Sequence, residues 1–254
     1  TCVMTTDGEA GDLLADPNSL ERRHLTIVMP VYNEEASLPA CVESWLAALS
    51  ELGVDHRLLI INDGSRDTTE DVLASFADHP DVVGLSKENE GHGPTILRGY
   101  RLAARTSDWV FQVDSDDEIP ATAFASVWAA RNDRDAVFGI RTGRHQSPGR
   151  KVISRVAGLT SRVLLGGKVT DVNVPFRLMR AERLLPIADA LPRDTFAPNV
   201  VLSGVLGRDR TRFAEVPVPH QERQAGEVSI IGLGALKAAA RSFIQTVRLS
   251  RSVR

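Results

Sequence analysis

A short acidic segment in the middle of the chain has residue types and spacing suited to metal chemistry. It follows the apolar run Trp109–Val113 and consists of Asp114, Ser115, Asp116, Asp117 and Glu118. On an extended backbone alternate side chains point the same way, so Asp114, Asp116 and Glu118 are predicted to converge. Converging carboxylates raise one another's pKa unless a cation lies between them. Oxygen ligands suit Mg²⁺ or Mn²⁺, which also bind substrate phosphates, although an acidic turn capping the next helix is an alternative.

Three further polar segments contain residues suited to ligand binding: residues 30–35, 62–65 and 87–93. Asp63 offers an acceptor for a base or a ribose, although its segment is also typical of a turn followed by a helix cap. Gly91 and Gly93 precede a predicted helix, so nearby backbone amides can approach a ligand closely. His92 between them is interpreted as a loop residue. The sequence offers no serine nucleophile elbow and no Cys or His pairs, so hydrolase and zinc functions lack support.

The apolar pattern explains how these segments come together. Apolar runs predict four strands, which alternate with three predicted helices. The strands are Leu25–Met29, Leu58–Ile61, Val82–Leu85 and Trp109–Val113, and the helices are residues 35–52, 67–77 and 94–104. Strands separated by helices imply a parallel sheet, in which ligands bind beyond the carboxyl ends of the strands. Every polar segment follows a predicted strand, so the sequence predicts an α/β fold with a site at that edge.

The composition is that of a globular protein. Of the 254 residues, 43% are hydrophobic and 25% are charged, which allows one large domain or two small ones. Cys2 and Cys41 are too few for a disulfide scaffold and are expected to stay reduced, as in the cytosol. No window reaches the roughly 18 apolar residues of a membrane span. Residues 1–21 are predicted to be a flexible acidic tail, without the apolar core of a signal peptide.

Charge is distributed unevenly along the chain. Residues 1–139 contain 10 Lys and Arg and 25 Asp and Glu, whereas residues 140–254 contain 20 and 8. A net charge of −15 beside one of +12 indicates a basic surface for an anionic partner next to a carboxylate-rich centre, unless the charges cluster by chance. The low aromatic content, 5%, and the lack of a recognition motif argue against nucleic acid as the partner.

At these residues the sequence resembles the family 2 glycosyltransferases of the GT-A fold. Four blocks carry the resemblance in the right order: Val28–Glu35, Ile61–Ser65, Asn89–Gly93 with Arg98-Gly99, and Asp114–Asp116. The second half is similar to dolichyl-phosphate mannose synthase and related polyprenyl-phosphate glycosyltransferases. Its looser blocks are Gly139–Arg141, Arg150–Arg155, Thr170-Asp171 with Pro175–Arg177, and Val216–His220 with Arg223, Gly226 and Ser229.

The resemblance implies a mostly parallel central sheet flanked by helices and a catalytic domain over residues 22–229. Residues 22–139 would form its nucleotide- and metal-binding half, and residues 140–229 its basic acceptor-binding half. The donor would contact Pro30, Tyr32, Glu34, Asp63, Gly64, Asn89, Gly93, Asp114 and Ser115. Asp114, Asp116 and Glu118 would surround Mg²⁺ or Mn²⁺. The related enzymes often have Gln in place of Glu118, and the added charge should tighten binding of a divalent ion.

The implied reaction is inverting transfer from a GDP- or UDP-linked sugar. An acceptor oxygen attacks the anomeric carbon while the metal, held in part by Asp116, stabilises the departing diphosphate. A phosphate acceptor is already an anionic nucleophile, which arginines would orient by bidentate hydrogen bonds. The candidates are Arg141, Arg144, Arg177 and Arg223. A hydroxyl acceptor requires a base, for which Asp117 and Asp171 are the candidates.

The C-terminal residues 230–254 predict a basic amphipathic helix. Leu236, Ala240, Phe243 and Val247 form one stripe, beside Lys237, Arg241, Arg248 and Arg251. Such a helix either lies on an anionic membrane, here at the cytoplasmic face, or packs on the domain. Polyprenyl phosphate is the preferred acceptor. A soluble hydroxyl acceptor such as a small metabolite or glycan is the first alternative, and a non-catalytic nucleotide-sugar-binding protein is the second. The oligomeric state stays open.

Overall fold

The computed structural model describes residues 20–142, 158–159, 161–208, 212–221 and 247, and its first half alternates strands and helices. The order is β1 (Arg23–Val31), α1 (Leu38–Leu52), β2 (His56–Asn62), α2 (Thr69–Ser75), β3 (Val82–Ser86), α3 (His92–Thr106) and β4 (Ser107–Val113). The four strands and three helices predicted from the apolar pattern are all confirmed. Their ends differ from the predicted ends by a few residues.

The second half adds shorter elements around the same sheet. In order they are a 3-10 turn (Ala121–Ala123), α4 (Phe124–Ala129), β5 (Ala136–Thr142), a π-helical segment (Ser161–Leu165), β6 (Phe176–Arg180), α5 (Ala181–Ala190), α6 (Pro198–Leu206) and β7 (Phe213–Pro219). Within the part of the chain that is described, no helix has the length and apolar character needed to cross a bilayer. The predicted tail up to residue 19 and the predicted C-terminal helix, apart from Val247, lie outside the described residues.

The described strands form one seven-stranded sheet in the order β3-β2-β1-β4-β6-β5-β7. β6 runs antiparallel to β4 and β5, and the other neighbouring strands pair in parallel. This confirms the mostly parallel sheet flanked by helices. Because β1, β2, β3 and β4 share one direction, the polar segments that follow them lie along a single edge of the sheet.

Helix α1 covers the sheet with an aromatic cluster. The Trp45 ring lies 5.5 Å from Phe111, 5.8 Å from Phe124 and 6.1 Å from Phe176, measured between ring centroids. All four rings are fully buried, and aromatic pairs of this kind contribute about 0.5–1.5 kcal/mol each beyond their buried area. Gly53 ends the helix in the left-handed conformation, with φ 58°, as the sequence predicts. Phe111 belongs to β4, and Phe176 pairs with Val113, the last residue of that strand, so the cluster packs against the strand that leads into the acidic segment.

Cys41 is a free thiol in the buried face of α1. Burial raises its pKa to about 12, and the negative charges of Asp117, Asp116 and Glu34 add to the effect. The thiolate is the reactive form of cysteine, so Cys41 is chemically inert at neutral pH. Cys2 lies outside the described residues.

Candidate active site

The polar turns that follow β1 and β2 are bonded to each other. The Asn33 amide donates to Ser65 Oγ at 2.9 Å, and the Arg66 amide donates to Asn33 Oδ1 at 2.8 Å. The Glu35 carboxylate accepts from the amide and the hydroxyl of Thr68, at 2.8 and 2.6 Å. Asn33 has φ 54°, a left-handed conformation that Asn tolerates better than most residues. These reciprocal bonds hold the two turns in one fixed arrangement before any ligand arrives.

The three residues expected to contact the donor from β1 and its turn differ in accessibility. Pro30 lies in β1 opposite Ile61 of β2 and is buried. Tyr32 is 39% exposed at the end of the strand. Glu34 is buried and accepts a 2.6 Å hydrogen bond from the Ser37 hydroxyl. Tyr32 therefore presents the most accessible side chain of the three, and the donor contacts of all three stay predictions.

Asp63, at the end of β2, organises the loop between β3 and α3. Its buried carboxylate pairs with the Lys87 ammonium and accepts from the amides of Glu90 and Gly91 at 3.0 and 2.9 Å. Lys87 is equally buried and also donates to the Glu88 carbonyl at 2.8 Å. The side chain assigned to the base or ribose by resemblance thus has three protein donors. Its role in fixing the loop is structural, and its contact with a donor stays a prediction.

Two of the predicted glycines are required by close approaches within the protein. Gly64 has φ 67°, and a Cβ there would lie 2.7 Å from the backbone nitrogen of the exposed Asn89. A Cβ at Gly93 would collide with the backbone oxygens of Thr195 and Phe196. Gly93 therefore has a packing role that the sequence did not show, and the close approach of its loop to a ligand stays a prediction. The missing side chain lets α3 pack against the loop before α6.

The acidic turn, Asp114–Glu118, is not an extended segment. The chain turns at Ser115 and Asp116, and Asp117 adopts a left-handed φ of 56°. The alternation argument for convergence is therefore wrong, although the carboxylates stay close enough to repel one another electrostatically. Asp116 Oδ1 accepts from the Glu118 amide at 3.3 Å, and Ser115 is buried. Among the described residues, no three His, Cys, Asp or Glu side chains are grouped so that they could hold a metal ion.

Asp114 has the most perturbed carboxyl group of the turn. Its pKa is raised from 3.8 to about 6, above all by burial and also by repulsion from Asp116 and Glu118. The positive charges of His92 and Arg141 act in the opposite direction. The His92 ring contacts the carboxylate, with Nε2 3.6 Å from Asp114 Oδ1. Negative charge is thus concentrated at a point where a cation would be stabilising.

The acidic turn fits a divalent cation by its chemistry. Asp114, Asp116 and Glu118 are the side chains that would hold the ion, and hard oxygen ligands are those that Mg²⁺ and Mn²⁺ prefer. Mg²⁺ is usually bound through one or two carboxylates together with substrate phosphates, rather than by an all-protein cage. The described carboxylates are not grouped as three ligands, so substrate phosphates would have to complete the coordination. The ligand roles of the three residues stay predictions.

We expect an Asp114→Asn variant to be more stable than the wild type at neutral pH when metal is absent. The pKa of Asp114 is about 6 in the folded protein and 3.8 in the unfolded chain. The free energy of unfolding therefore falls as pH rises from 3.8 to about 6, and the loss is constant above that range. The variant avoids this cost, so its advantage should grow across that window to about 2–3 kcal/mol. Urea unfolding in EDTA across the window measures it. An advantage that does not change with pH, or one matched by Asp78→Asn at an exposed site, would contradict the assignment.

Arg141 and Asp171, both predicted to be catalytic, are bonded to each other. Arg141 Nε and one terminal nitrogen donate to the two Asp171 oxygens at 2.8 and 3.0 Å. This bidentate pair engages both oxygens of Asp171, which weakens its candidacy as a general base. Asp117 is largely exposed, and partial desolvation of its carboxyl together with the charge of Asp116 raises its pKa above the usual value. Asp117 is therefore the better placed of the two candidate bases.

Arg177 does not face the candidate site. It is fully buried, and its guanidinium donates to the carbonyl oxygens of Val174 and Asn199 and to Ser203 Oγ. The prediction that Arg177 orients an acceptor phosphate is wrong, because the group has no exposed surface and is bonded to the protein interior. Arg144 and Arg223, also predicted to bind the acceptor, lie outside the described residues.

Three residues near the acidic turn escaped the sequence-based prediction. His92 is the first residue of α3 rather than a loop residue, beside Asp114. His220, after β7, has Nδ1 3.7 Å from Glu118 Oε2, and the Gln221 amide donates to the Glu118 carbonyl at 2.8 Å. Gln112 donates to Asp114 Oδ1 at 2.8 Å. The resemblance marked His220 without giving it a role, and Gln112 looks like any other strand residue.

Comparison with known proteins places the chain in a family. The sequence profile described as glycosyl transferase family 2 matches residues 26–186. The undecaprenyl-phosphate 4-deoxy-4-formamido-L-arabinose transferase of Shewanella sediminis is 31% identical over 207 residues, which cover 80% of this chain and 60% of the relative. The protein of the same name from Serratia proteamaculans is 29% identical over 213 residues, covering 81% and 62%. The chain thus spans about 60% of the length of these relatives.

Crystal structures with the same fold come from Mycobacterium tuberculosis. Glucosyl-3-phosphoglycerate synthase with Mn²⁺, uridine diphosphate and glucosyl-3-phosphoglycerate matches with a TM-score of 0.62 and 22% identity, over 99% of this chain and 88% of that one. The same enzyme with phosphoglyceric acid gives a TM-score of 0.63 and 21% identity, over 98% and 86%. This likeness establishes the GT-A fold. Because the family profile covers more than half of the sequence, the chain belongs to glycosyl transferase family 2.

Proposed function

We propose that this chain is a metal-dependent inverting glycosyltransferase that moves a sugar from a nucleotide-diphospho-sugar to a polyprenyl phosphate. The observation that carries the proposal is the acidic turn at the end of β4, where the half-buried Asp114 lies beside Asp116 and Glu118. Arg141, whose positive charge acts on Asp114, supplies a cation nearby. The site thus combines carboxylates for a metal with an arginine for an anionic substrate.

The donor half of the proposal rests on the edge formed by β1, β2 and β4. The turns after β1 and β2 are hydrogen-bonded to each other, and Tyr32 in the first of them is 39% exposed. Both turns lie at the same edge of the sheet as the acidic turn. Asp114, Asp116 and Glu118 would hold Mg²⁺ or Mn²⁺, and the bound ion would supply positive charge for the departing diphosphate. The structural neighbours were crystallised with Mn²⁺ or Mg²⁺ and uridine diphosphate, which supports a donor of this class. In this proposal the donor is a UDP- or GDP-linked sugar, and the unfolding experiment below distinguishes the two.

The acceptor half rests on Arg141 and Asp171. Their bidentate pair fixes the Arg141 guanidinium, whose side chain is 6% exposed, near the acidic turn. In this proposal its other terminal nitrogen donates to the phosphate. An ionised phosphate oxygen attacks the anomeric carbon, a new C–O bond forms, and the bond to the diphosphate breaks with its electron pair on the diphosphate. No proton has to be removed from such a nucleophile. The names of the curated relatives support a polyprenyl phosphate in this role.

A soluble hydroxyl acceptor is the second candidate, and one observation favours it. Asp117 is exposed next to the acidic turn, and the raised pKa of its carboxyl suits it to accept a proton from a hydroxyl. With that acceptor the enzyme would work on a small metabolite or glycan. With the lipid acceptor it would work in peripheral contact with the anionic cytoplasmic face of the membrane, and flotation with anionic liposomes tests that contact.

Thermal unfolding with nucleotides tests the donor half. The protein is heated with GDP, UDP or dTDP, each with Mn²⁺ or with EDTA. A ligand at about 100 times its Kd stabilises by about 2.7 kcal/mol, which raises Tm by roughly 5–10 °C in a domain of this size. We expect one nucleotide to give this rise with Mn²⁺ and to lose it in EDTA. Equal shifts with and without metal, or none with any nucleotide, would contradict the metal-dependent donor site.

A transfer assay tests the acceptor half. The nucleotide-sugar selected by the unfolding experiment, radiolabelled in the sugar, is incubated with undecaprenyl phosphate in detergent or with phosphoglyceric acid in solution. Label that partitions into organic solvent only with undecaprenyl phosphate supports the lipid acceptor. Label on the soluble acceptor alone supports the second candidate. Nucleotide binding without transfer to either acceptor would favour a non-catalytic nucleotide-sugar-binding protein.

A further inference from the structure

A chain of buried side-chain hydrogen bonds ends on Asp114. The Tyr100 hydroxyl of α3 donates to Asn199 Oδ1 of α6 at 2.8 Å. Asn199 Nδ2 lies 3.2 Å from Gln112 Oε1 of β4, and Gln112 Nε2 lies 2.8 Å from Asp114 Oδ1. Three separate elements therefore contribute to the support of one carboxylate in the acidic turn.

The carboxylate fixes the direction of every bond in this chain. An ionised Asp114 only accepts, so Gln112 must present its amide nitrogen to it and its oxygen to Asn199. Asn199 must then donate through its nitrogen, which turns its oxygen toward the Tyr100 hydroxyl. Burial raises the pKa of Tyr100 far above its usual value, so the phenol keeps the proton that it donates. The order of donors leads in a single direction from Tyr100 to Asp114.

Burial makes this order difficult to change. Tyr100 and Gln112 are fully buried and Asn199 is 5% exposed, so water cannot readily replace a lost partner. A buried amide or hydroxyl left without a partner costs about 1–3 kcal/mol, which favours the fully bonded arrangement over any flipped amide. Arg177 also holds Asn199 in place, since its guanidinium donates to the Asn199 backbone carbonyl at 3.0 Å.

We infer that Tyr100, Asn199 and Gln112 are positioning residues that fix the Asp114 carboxylate for the donor and its metal. The inference rests on the proposed function and adds to it three residues that touch neither substrate nor metal. Residues that orient a metal ligand from behind change metal affinity or activity by roughly 10- to 100-fold when they are replaced. Tyr100 is the sharpest probe, because its hydroxyl contacts Asn199 and, at 3.5 Å, Gln112, the side chain that donates to Asp114.

The test compares Tyr100→Phe and Gln112→Met with Thr26→Val. Thr26 is also fully buried in the same sheet, and its hydroxyl bonds to Ser107 Oγ at 2.5 Å. Mn²⁺ is titrated in saturating UDP, or in GDP if that nucleotide binds the wild type, and followed by electron paramagnetic resonance. We expect Mn²⁺ to bind roughly tenfold more weakly to Tyr100→Phe and to Gln112→Met than to the wild type. We expect the affinity of Thr26→Val to match the wild type, although its Tm falls.

A second readout does not depend on any ligand. In the ¹⁵N-labelled, metal-free wild type, the Gln112 side-chain amide should exchange slowly with solvent and shift when Asp114 is changed to Asn. Tyr100→Phe should accelerate that exchange, whereas Thr26→Val should leave it unchanged. Wild-type protein that binds no nucleotide with Mn²⁺ would refute the proposed function. The exchange data alone would then test whether Tyr100 and Gln112 position Asp114. If Tyr100→Phe leaves both the Mn²⁺ affinity and the amide exchange unchanged, Tyr100 does not position Asp114, whatever the substrate.

Discussion

An Asp116→Ala variant is expected to fold normally and to lose glycosyl transfer by roughly 100- to 1,000-fold. That is the scale of losing one preorganised group that stabilises charge in the transition state. Asp116 is half-buried, and the bond described for its carboxylate is the weak one to the Glu118 amide at 3.3 Å. Its removal therefore costs little packing. It also removes one of the charges that raise the pKa of Asp114.

The experiment measures transfer, nucleotide binding and Tm on the same preparations. Asp78→Ala is the matched control, because Asp78 is an exposed aspartate in the loop between α2 and β3. We expect the control to keep full activity and the Mn²⁺-dependent rise in Tm, and Asp116→Ala to lose both. Equal nucleotide binding by wild type and Asp116→Ala, with and without Mn²⁺, would rule out Asp116 as a metal ligand.

An Arg177→Ala variant is expected to fail in stability rather than in catalysis. Removing one partner of a buried, fully bonded charge destabilises a protein by about 3–5 kcal/mol, because the remaining groups lose their partners inside the protein. Here the backbone oxygens of Val174 and Asn199 would lose their donor, and a cavity would form between β6 and α6. The expected fall in Tm is roughly 10 °C or more.

Arg183→Ala provides the comparison, since Arg183 lies on the adjacent helix α5 with a largely exposed side chain. Its ion pair with Asp135, at 3.4 Å, should be worth about 1 kcal/mol at most. Denaturant unfolding and transfer by the remaining folded protein separate the two roles. A stable Arg177→Ala protein with a raised KM for the acceptor would restore Arg177 as an acceptor-binding residue.

The basic half of the chain illustrates how little a charge count says about position. The sequence assigns +12 to residues 140–254 and suggests a surface for an anion. In the structure, Arg177 is fully buried. Arg183 and Arg212 pair with the buried Asp135, and Arg141 pairs with Asp171. These four arginines thus have partners within the protein, and their charge is not simply a free surface for an anion. Of the predicted acceptor-binding arginines that are described, Arg141 and Arg177 both interact electrostatically with Asp114, but Arg177 has no exposed surface.

The sequence by itself determined the architecture of the first half and the edge at which the candidate site lies. Apolar runs such as Trp109–Val113 specify buried strands, and the helical spacing in α1 specifies the face that Trp45 buries, because both patterns depend only on local geometry. The family motifs follow those strands, so the positions of Asp63 and Asp114 at one edge were predictable from the chain order alone.

Only the tertiary structure decided what each polar side chain does there. Asp63 serves the β3–α3 loop, Gly93 serves the packing of α3, and Arg177 serves the interior, because each meets partners far away in the sequence. The turn at Ser115 also replaced the extended backbone that the alternation argument required. Gln112 and Asn199 are 87 residues apart and become neighbours only when β4 and α6 pack together. Local pattern fixes periodicity and burial, whereas a hydrogen-bond partner is set by the packing of whole elements.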